Sequence, residues 1–311
     1  MKNVLGKTGL KVSRIGLGTV EIGLAYGLKN EGLPSEQDAI TLLKTVVEIG
    51  ITYIDTARGY GLAEERIGKS EIGKNDQIII GTKFGQFIKN EPNLRGSDLE
   101  KRIREDIDLS RKKLNKETLQ LAQFHNELED YTNFSEIIEI AEKLKNEQKI
   151  QHVGIAVRGE AAALAAIKTG FFETIQLANN IVDQRMVQNV LKKARENNIG
   201  IINRSVLLKG ALTPARASLP DALAELKQKA DKAEAIAKNL GVDLPTLAIR
   251  YVLSQSAVST ALIGTVKANR IESALQALTQ GPLPEEVLIQ FQELAIADSA
   301  QIDPAKWPKV D

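Results

Sequence analysis

The stretch from Tyr53 to Gly61, YIDTARGYG, sets a carboxylate (Asp55), a guanidinium (Arg58) and a phenol (Tyr60) close together, with glycines at 59 and 61. An ammonium follows at Lys83, closing the run IIIGTK, and an imidazole at His125, closing LQLAQFH. A phenol is a weak acid. An ammonium beside it stabilises the phenolate and eases loss of the proton, and a carboxylate paired to the ammonium holds it in place. Histidine then has a substrate oxygen to hydrogen-bond. Such a set suits proton transfer to a carbonyl oxygen. Singly, each residue also has a plain structural reading: Asp55 as a turn or helix cap, Lys83 as a solvated strand end, Tyr60 as an amphipathic packing residue. His125 alone reads the same way. Only a fold that gathers all four makes the chemistry.

The elements that must do the gathering are legible. Apolar runs at 14–19, 51–56, 77–83, 119–125, 150–157, 174–180, 200–206 and 261–265 read as strands. Between them lie one-sided helical patterns, as at 36–49, 97–113, 133–144, 184–196 and 245–253. SEIIEIAEKL and DALAELKQKADKAEAIAKNL carry the same helical spacing of apolar residues. Strand–helix alternation implies parallel strands joined by right-handed crossovers. Eight such units predict an α/β fold, a closed (β/α)8 TIM barrel. The rival is an open doubly wound sheet, which binds dinucleotides through a glycine-rich first turn. Gly16, Gly18 and Gly23 do not have that fingerprint's spacing. The leader VLGKTGLKVS predicts a short hairpin plugging the barrel base, and the tail from Pro282 a final helix and a wrapping segment. One domain over residues 1–311 is expected.

In a barrel, side chains that end strands meet at the C-terminal mouth. Asp55, Lys83 and His125 end the second, third and fourth strands, with Tyr60 on the loop after Asp55. His152 begins its strand, so it belongs to the opposite rim and reads as structural. Arg58 and Glu64 read as a surface pair or helix support.

Composition narrows the alternatives. Lys plus Arg (41) nearly balance Asp plus Glu (40), which gives no electrostatic pull toward nucleic acid or an anionic membrane. With no cysteine, thiolate metal sites, disulfides and cysteine nucleophiles are excluded, and no metal site is expected. The N-terminal residues lack the apolar run of a signal peptide, and no later stretch is long enough to span a bilayer. The expectation is a soluble, cytoplasmic protein whose partner is a small molecule.

With these residues in place, the sequence closely resembles the aldo-keto reductase family. The resemblance runs from RIGLGT through YIDTARGYG, GTKFG, LAQFHN, VGIAV, ETIQLANN, NRSVLLKGALT and IRYVLS to ALIGTVKANR. It implies a (β/α)8 barrel that uses NAD(P)(H) to reduce aldehydes and ketones, or to run the reverse oxidation. Its tetrad falls on Asp55, Tyr60, Lys83 and His125, with Tyr60 as general acid, Lys83 assisting it, Asp55 paired with Lys83, and His125 orienting the carbonyl. It also places Gln176 on the cofactor carboxamide, Arg204 against the nicotinamide, and Ser205, Leu207 and Gly210 in a pyrophosphate loop. Gly264, Thr265, Lys267 and Arg270 fall in the segment that follows the last strand and opens a helix. A helix N-terminus with Lys267 and Arg270 nearby favours a phosphate, and the resemblance puts Arg270 at a position that binds the 2′-phosphate, which implies NADP(H) over NAD(H). The chain departs from the family pattern at Ala156 and Val157, at Ser273 and Ala274, and at Gly264, where cofactor-binding side chains are common.

For the pocket, Val20 and Asn126 stand where tryptophans are frequent in the family. Few aromatic residues are present to make a flat apolar slot. Asn126 is expected either to hydrogen-bond a hydroxyl-bearing substrate or to serve as a turn residue. Segments 21–35 and 84–96 are candidate lids, with Tyr26, Phe84 and Phe87 as apolar contacts. The functional expectation is an NADP(H)-dependent reductase of small polar carbonyl compounds. The alternatives are a sugar dehydrogenase with the same tetrad and a nucleotide-binding regulatory barrel of low turnover. The oligomeric state is left open.

Overall fold

Strands dense in Ile, Leu and Val can bury both faces only when they lie parallel, with helices outside. The computed structural model, which describes residues 2–28 and 32–308, has this arrangement. The barrel strands are β3 (Ile15–Gly18), β4 (Tyr53–Asp55), β5 (Ile79–Phe84), β6 (Leu119–His125), β7 (Ile150–Ala156), β8 (Thr174–Ala178), β9 (Gly200–Arg204) and β10 (Val258–Gly264). All pair in parallel, and β10 closes the ring on β3. Most strands stop a residue or two inside the expected bounds. The last begins earlier, at Val258, because the β-branched Val258 and Thr260 pair with β9 although the run looks polar.

The outer layer forms from one-sided helices. Helix α1 (Glu36–Glu48) buries Ala39, Leu42, Leu43 and Val46, and the Ser35 hydroxyl accepts from the Asp38 N–H to cap its start. Among the described residues, three α-helices lay outside the sequence expectations: α2 (Ala63–Ser70), α5 (Glu160–Thr169) and a single turn at Ser299–Ile302. The first is short and mostly polar, and the second is so rich in alanine that its two faces hardly differ. The helix expected over 184–196 is broken into a π-turn, Val187–Leu191, and the short α6 (Lys192–Glu196).

Inside the barrel, side chains alternate in layers. The base is apolar: Tyr53, Ile79, Leu121, Ile202 and Leu262 pack with Leu5 and Val12. The last two come from the N-terminal hairpin, β1 (Lys2–Val4) with β2 (Lys11–Ser13), which plugs this end as its sequence suggests. Tyr53 fits because Gly16 and Gly81 face it, and a Cβ on Gly81 would run into its hydroxyl. Above this layer the interior is polar, with Asp55, Lys83, Gln123 and Gln176 all buried. His152, near the start of β7, hydrogen-bonds Glu173 through Nδ1 (2.8 Å), away from that layer. The tail returns over the barrel, and Lys306 reaches Glu129 (3.0 Å) on the loop after β6. Residues 29–31, within the expected lid 21–35, and residues 309–311 of the tail lie outside the described residues. Among the described residues, no helix is long and apolar enough to cross a membrane.

Candidate active site

Register on adjacent strands brings the four candidate residues to one mouth. Asp55 ends β4, Lys83 is the last but one residue of β5, and His125 ends β6. The Lys83 ammonium donates to Asp55 Oδ2 (2.5 Å), to the Thr56 carbonyl (2.9 Å) and toward Tyr60 Oη (3.5 Å). Asp55 Oδ1 accepts from Gln176 Nε2 (2.6 Å) and Gln123 Nε2 (3.4 Å). A buried charge is tolerated only when paired and hydrogen-bonded, and both members of this pair are. Burial pushes the Lys83 ammonium toward its neutral form, but the Asp55 carboxylate and Tyr60 outweigh it, so its pKa is raised. Lys83 is therefore a cation at neutral pH. An ammonium only donates, so the Tyr60 oxygen is the acceptor of this contact and its own O–H is free to turn to the cavity.

His125 edges the Tyr60 ring, with centroids 6.3 Å apart. Burial, then the Lys83 charge, lowers its pKa to about 3, so the ring is neutral at physiological pH. Among the described residues Nδ1 is buried without a partner, while Nε2 lies 3.6 Å from the Glu127 carboxylate. A buried lone pair costs less than a buried orphan N–H, and the carboxylate favours hydrogen on the nitrogen facing it. The neutral ring thus carries its proton on Nε2.

Tyr60 owes its position to loop packing. Gly61 has φ +54°, a left-handed backbone, and a Cβ there would meet the Gly23 carbonyl. The Leu62 N–H donates to that carbonyl (3.2 Å), locking the two loops together. Gly59 serves differently: the side-chain amide of Gln86 occupies the space its Cβ would take. Arg58 pairs with Glu64 (3.2 Å), but Glu64 is buried and also accepts from Thr82 Oγ1 (2.6 Å). This is an internal brace for the turn rather than a surface pair.

A cavity of about 820 Å³ opens over these groups. Asp55, Tyr60 and His125 line it, with Val20, Tyr26, Gln176, Arg204, Ser205, Leu207, Gly210, Gly264 and Arg270. Arg204 spans the mouth from β9 to β7, donating to the Val157 carbonyl (3.1 Å) and to Ser205 Oγ (3.2 Å). Gly18 and Gly264 are register partners at the strand ends, and the Glu21 carboxylate lies over Gly264 on this lip. Arg204 and Arg270 both line the cavity and can face an anionic group there. The residues present fit a nicotinamide dinucleotide.

Several expected contacts are placed elsewhere. Phe84 is buried against Phe124 and does not line the cavity, because its position in β5 points it to the helix layer rather than inward as Lys83 does. Phe87 lies under the Arg102 guanidinium. Asn126 is buried, and its amide is used in the loop: Nδ2 donates to the Tyr131 carbonyl (3.0 Å) and Oδ1 accepts from the Leu128 N–H (3.1 Å). These are the bonds of a turn residue, although Asn126 also lines the cavity beside His125. Thr265 is buried, with Oγ1 accepting from the Lys267 N–H (3.0 Å) ahead of α9 (Ala268–Thr279). Lys267 stands at that helix start, outside the cavity wall. Gln176 lines the cavity, yet its amide N–H also braces Asp55.

Sequence reasoning passed over Gln123, Glu127 and Arg158. Gln123 was findable, since it lies two residues before His125 on the same strand and so faces inward. Glu127 and Arg158 sit on loops, where no periodicity points to them.

The aldo/keto reductase family model matches residues 14–296 of the chain. Among curated proteins, the chain is 28% identical to an L-galactose dehydrogenase of Arabidopsis thaliana, covering 98% of this chain and 96% of that one. It is 26% identical to a D-threo-aldose 1-dehydrogenase of a Pseudomonas species, covering 82% and 86%. Among solved structures, the holo form of an aldo-keto reductase from Bacillus halodurans superposes with a TM-score of 0.77 at 26% identity, covering 97% and 99%.

Proposed function

The chain belongs to the aldo/keto reductase family, and on that premise we propose that it is an NADP(H)-dependent oxidoreductase interconverting the carbonyl and hydroxyl groups of small polar substrates. The observation that carries this reading is the line of contacts from Asp55 through Lys83 to Tyr60, beside a neutral His125. When bound, a nicotinamide dinucleotide supplies or takes up the hydride. The chain's own residues handle the oxygen. His125 Nε2–H donates to the carbonyl oxygen and fixes its direction. Tyr60 gives that oxygen its proton, and the Lys83 ammonium stabilises the phenolate left behind. Asp55, braced by Gln176 and Gln123, keeps Lys83 charged and in place.

Gln176, Arg204, Ser205, Leu207, Gly210 and Gly264 would hold the cofactor, with Arg270 and Lys267 at its phosphate end. The loop after β9 supports this assignment. Ser205, Leu208 and Lys209 all have left-handed backbones (φ +60°, +44° and +54°), each costing about 1–3 kcal/mol. Three such residues in one stretch of the cavity wall support a loop shaped for binding. In the reverse direction Tyr60 accepts the proton of a substrate hydroxyl, and the sugar dehydrogenases among the relatives favour this second reading.

The test is a panel of aldehydes, ketones and aldoses assayed in both directions, following NADPH and NADH absorbance in parallel. Turnover of hydroxylated carbonyl compounds or aldoses, faster with NADP(H), is expected. Absence of turnover with either cofactor across the panel overturns the reading.

A further inference from the structure

Asn126, expected either to meet a hydroxylated substrate or to serve as a turn residue, spends its amide on bonds within its own loop. Its neighbour Glu127 is tied to other elements instead. The Glu127 carboxylate is 9% exposed, lines the cavity, and lies 3.6 Å from His125 Nε2. Partial burial would raise its pKa, but hydrogen bonds from Lys89 and Gln86 and the nearby charges lower it to about 2. It is ionised whenever His125 is neutral. Oε2 faces Lys89 Nζ (2.9 Å) and Arg158 Nη2 (3.5 Å), whereas among the described residues Oε1 accepts one hydrogen bond, from Gln86 Nε2 (2.6 Å). A carboxylate oxygen has room for two, so Oε1 keeps a lone pair on the side of His125.

The wall around Glu127 is built. Gln86 fills the space beside Gly59 and so ties Glu127 to the Tyr60 turn. Arg158, also lining the cavity, faces Asp303 of the tail (3.7 Å). Lys306, three residues on, holds Glu129 of the Glu127 loop. A largely dehydrated carboxylate and a guanidinium stand together beside the residue that orients the substrate oxygen.

The geometry points to Glu127, with Arg158 beside it, as a hydroxyl-recognition subsite that selects carbonyl compounds bearing a hydroxyl on the carbon next to the carbonyl. The inference rests on the proposed oxidoreductase function for its meaning in catalysis. With the carbonyl oxygen at His125 Nε2, the oxygen on the adjacent carbon falls within reach of Glu127 Oε1 and donates to its open lone pair. Arg158, which has more N–H groups than its two carboxylate partners use, donates to that same hydroxyl oxygen. A substrate lacking the hydroxyl leaves a buried charge with an unmet acceptor, which is the strong form of discrimination.

Two measurements test this. The first compares kcat/KM for glyceraldehyde with that for propanal, in wild type and in Glu127→Ala and Glu127→Gln. The wild-type preference for glyceraldehyde is expected to fall at least about tenfold in both variants. A parallel loss on both substrates, with the ratio unchanged, overturns the proposal and leaves Glu127 structural. The second needs no turnover, so it separates this proposal from the activity itself. The chain has two histidines, and His152 at the far end of the barrel serves as an internal reference. Erythritol is expected to shift the His125 ring resonances where n-butanol does not, and Glu127→Ala is expected to abolish the shift. No erythritol shift in wild type, or an equal shift in Glu127→Ala, overturns the proposal whether or not any carbonyl compound is reduced.

Discussion

Lys83 and Asp55 are 28 residues apart in sequence, and their charged atoms lie 2.5 Å apart inside the barrel, both nearly sealed from water. Neither is free to lose its partner. Removing one member of such a pair leaves an uncompensated charge, so Asp55→Ala is expected to cost about 3–5 kcal/mol of stability. Asp55→Leu combined with Lys83→Met should recover much of that loss while remaining inactive. Urea unfolding of the single and double variants checks this. A double variant no more stable than Asp55→Ala would mean the pair is not the source.

Tyr60→Phe removes the proton but keeps the ring that edges His125. Carbonyl reduction is expected to fall by about 10²–10⁴-fold in kcat, with NADPH affinity retained. Steady-state kinetics and cofactor fluorescence titration measure the two quantities separately.

Gly59 and Gly61 flank Tyr60 for different reasons, and their alanine variants should differ. A Cβ at 59 meets only the end of the flexible Gln86 side chain, which can move. A Cβ at 61 meets the Gly23 backbone and is also strained by the positive φ. Gly61→Ala is therefore expected to lose at least about 1 kcal/mol more stability than Gly59→Ala. Thermal melts compare the two.

Arg270 lines the cavity at the start of α9. If it meets a 2′-phosphate, Arg270→Ala loses a charge-assisted hydrogen bond of about 1.5–3 kcal/mol, which is roughly tenfold or more in affinity. KM for NADPH should rise by that factor and KM for NADH much less. Equal rises for both cofactors would argue against NADP(H) selection by this residue.

His125 also leaves a signature in stability. Its native pKa of about 3 lies below the unfolded value of about 6.5, so the unfolded chain binds a proton that the native state refuses. Stability contributed by this group is present above about pH 6.5 and is lost as pH falls toward about pH 3. Between about pH 7 and pH 5 the loss is about 2 kcal/mol. His125→Gln should flatten that part of the curve, which urea unfolding at each pH reads directly.

Much of this site could be read from the chain because barrel strands impose a simple rule. Inward-facing residues at or next to the end of a strand reach the mouth, and those two positions apart face the same way. Asp55, Lys83 and His125 obey it, and Gln123 was within its scope although passed over. Phe84, the next residue after Lys83, turns to the helix layer by the same alternation. The rule stops where strands stop. Asn126, Glu127 and Arg158 lie on loops, where a side chain's direction depends on the hydrogen bonds it happens to close.

The sequence by itself determined the barrel, the plug at its base and the identity of the groups at its mouth, because periodicity and strand order are local properties of the chain. Only the tertiary structure decided which polar atoms are already spent. Asn126 could be read as a substrate contact or a turn residue and its amide is bound into its turn, while Glu127, which drew no reading, faces His125. Glu127 owes its place to Gln86 and Lys89, and Arg158 to Asp303, partners distant in sequence that meet them only once the barrel has closed.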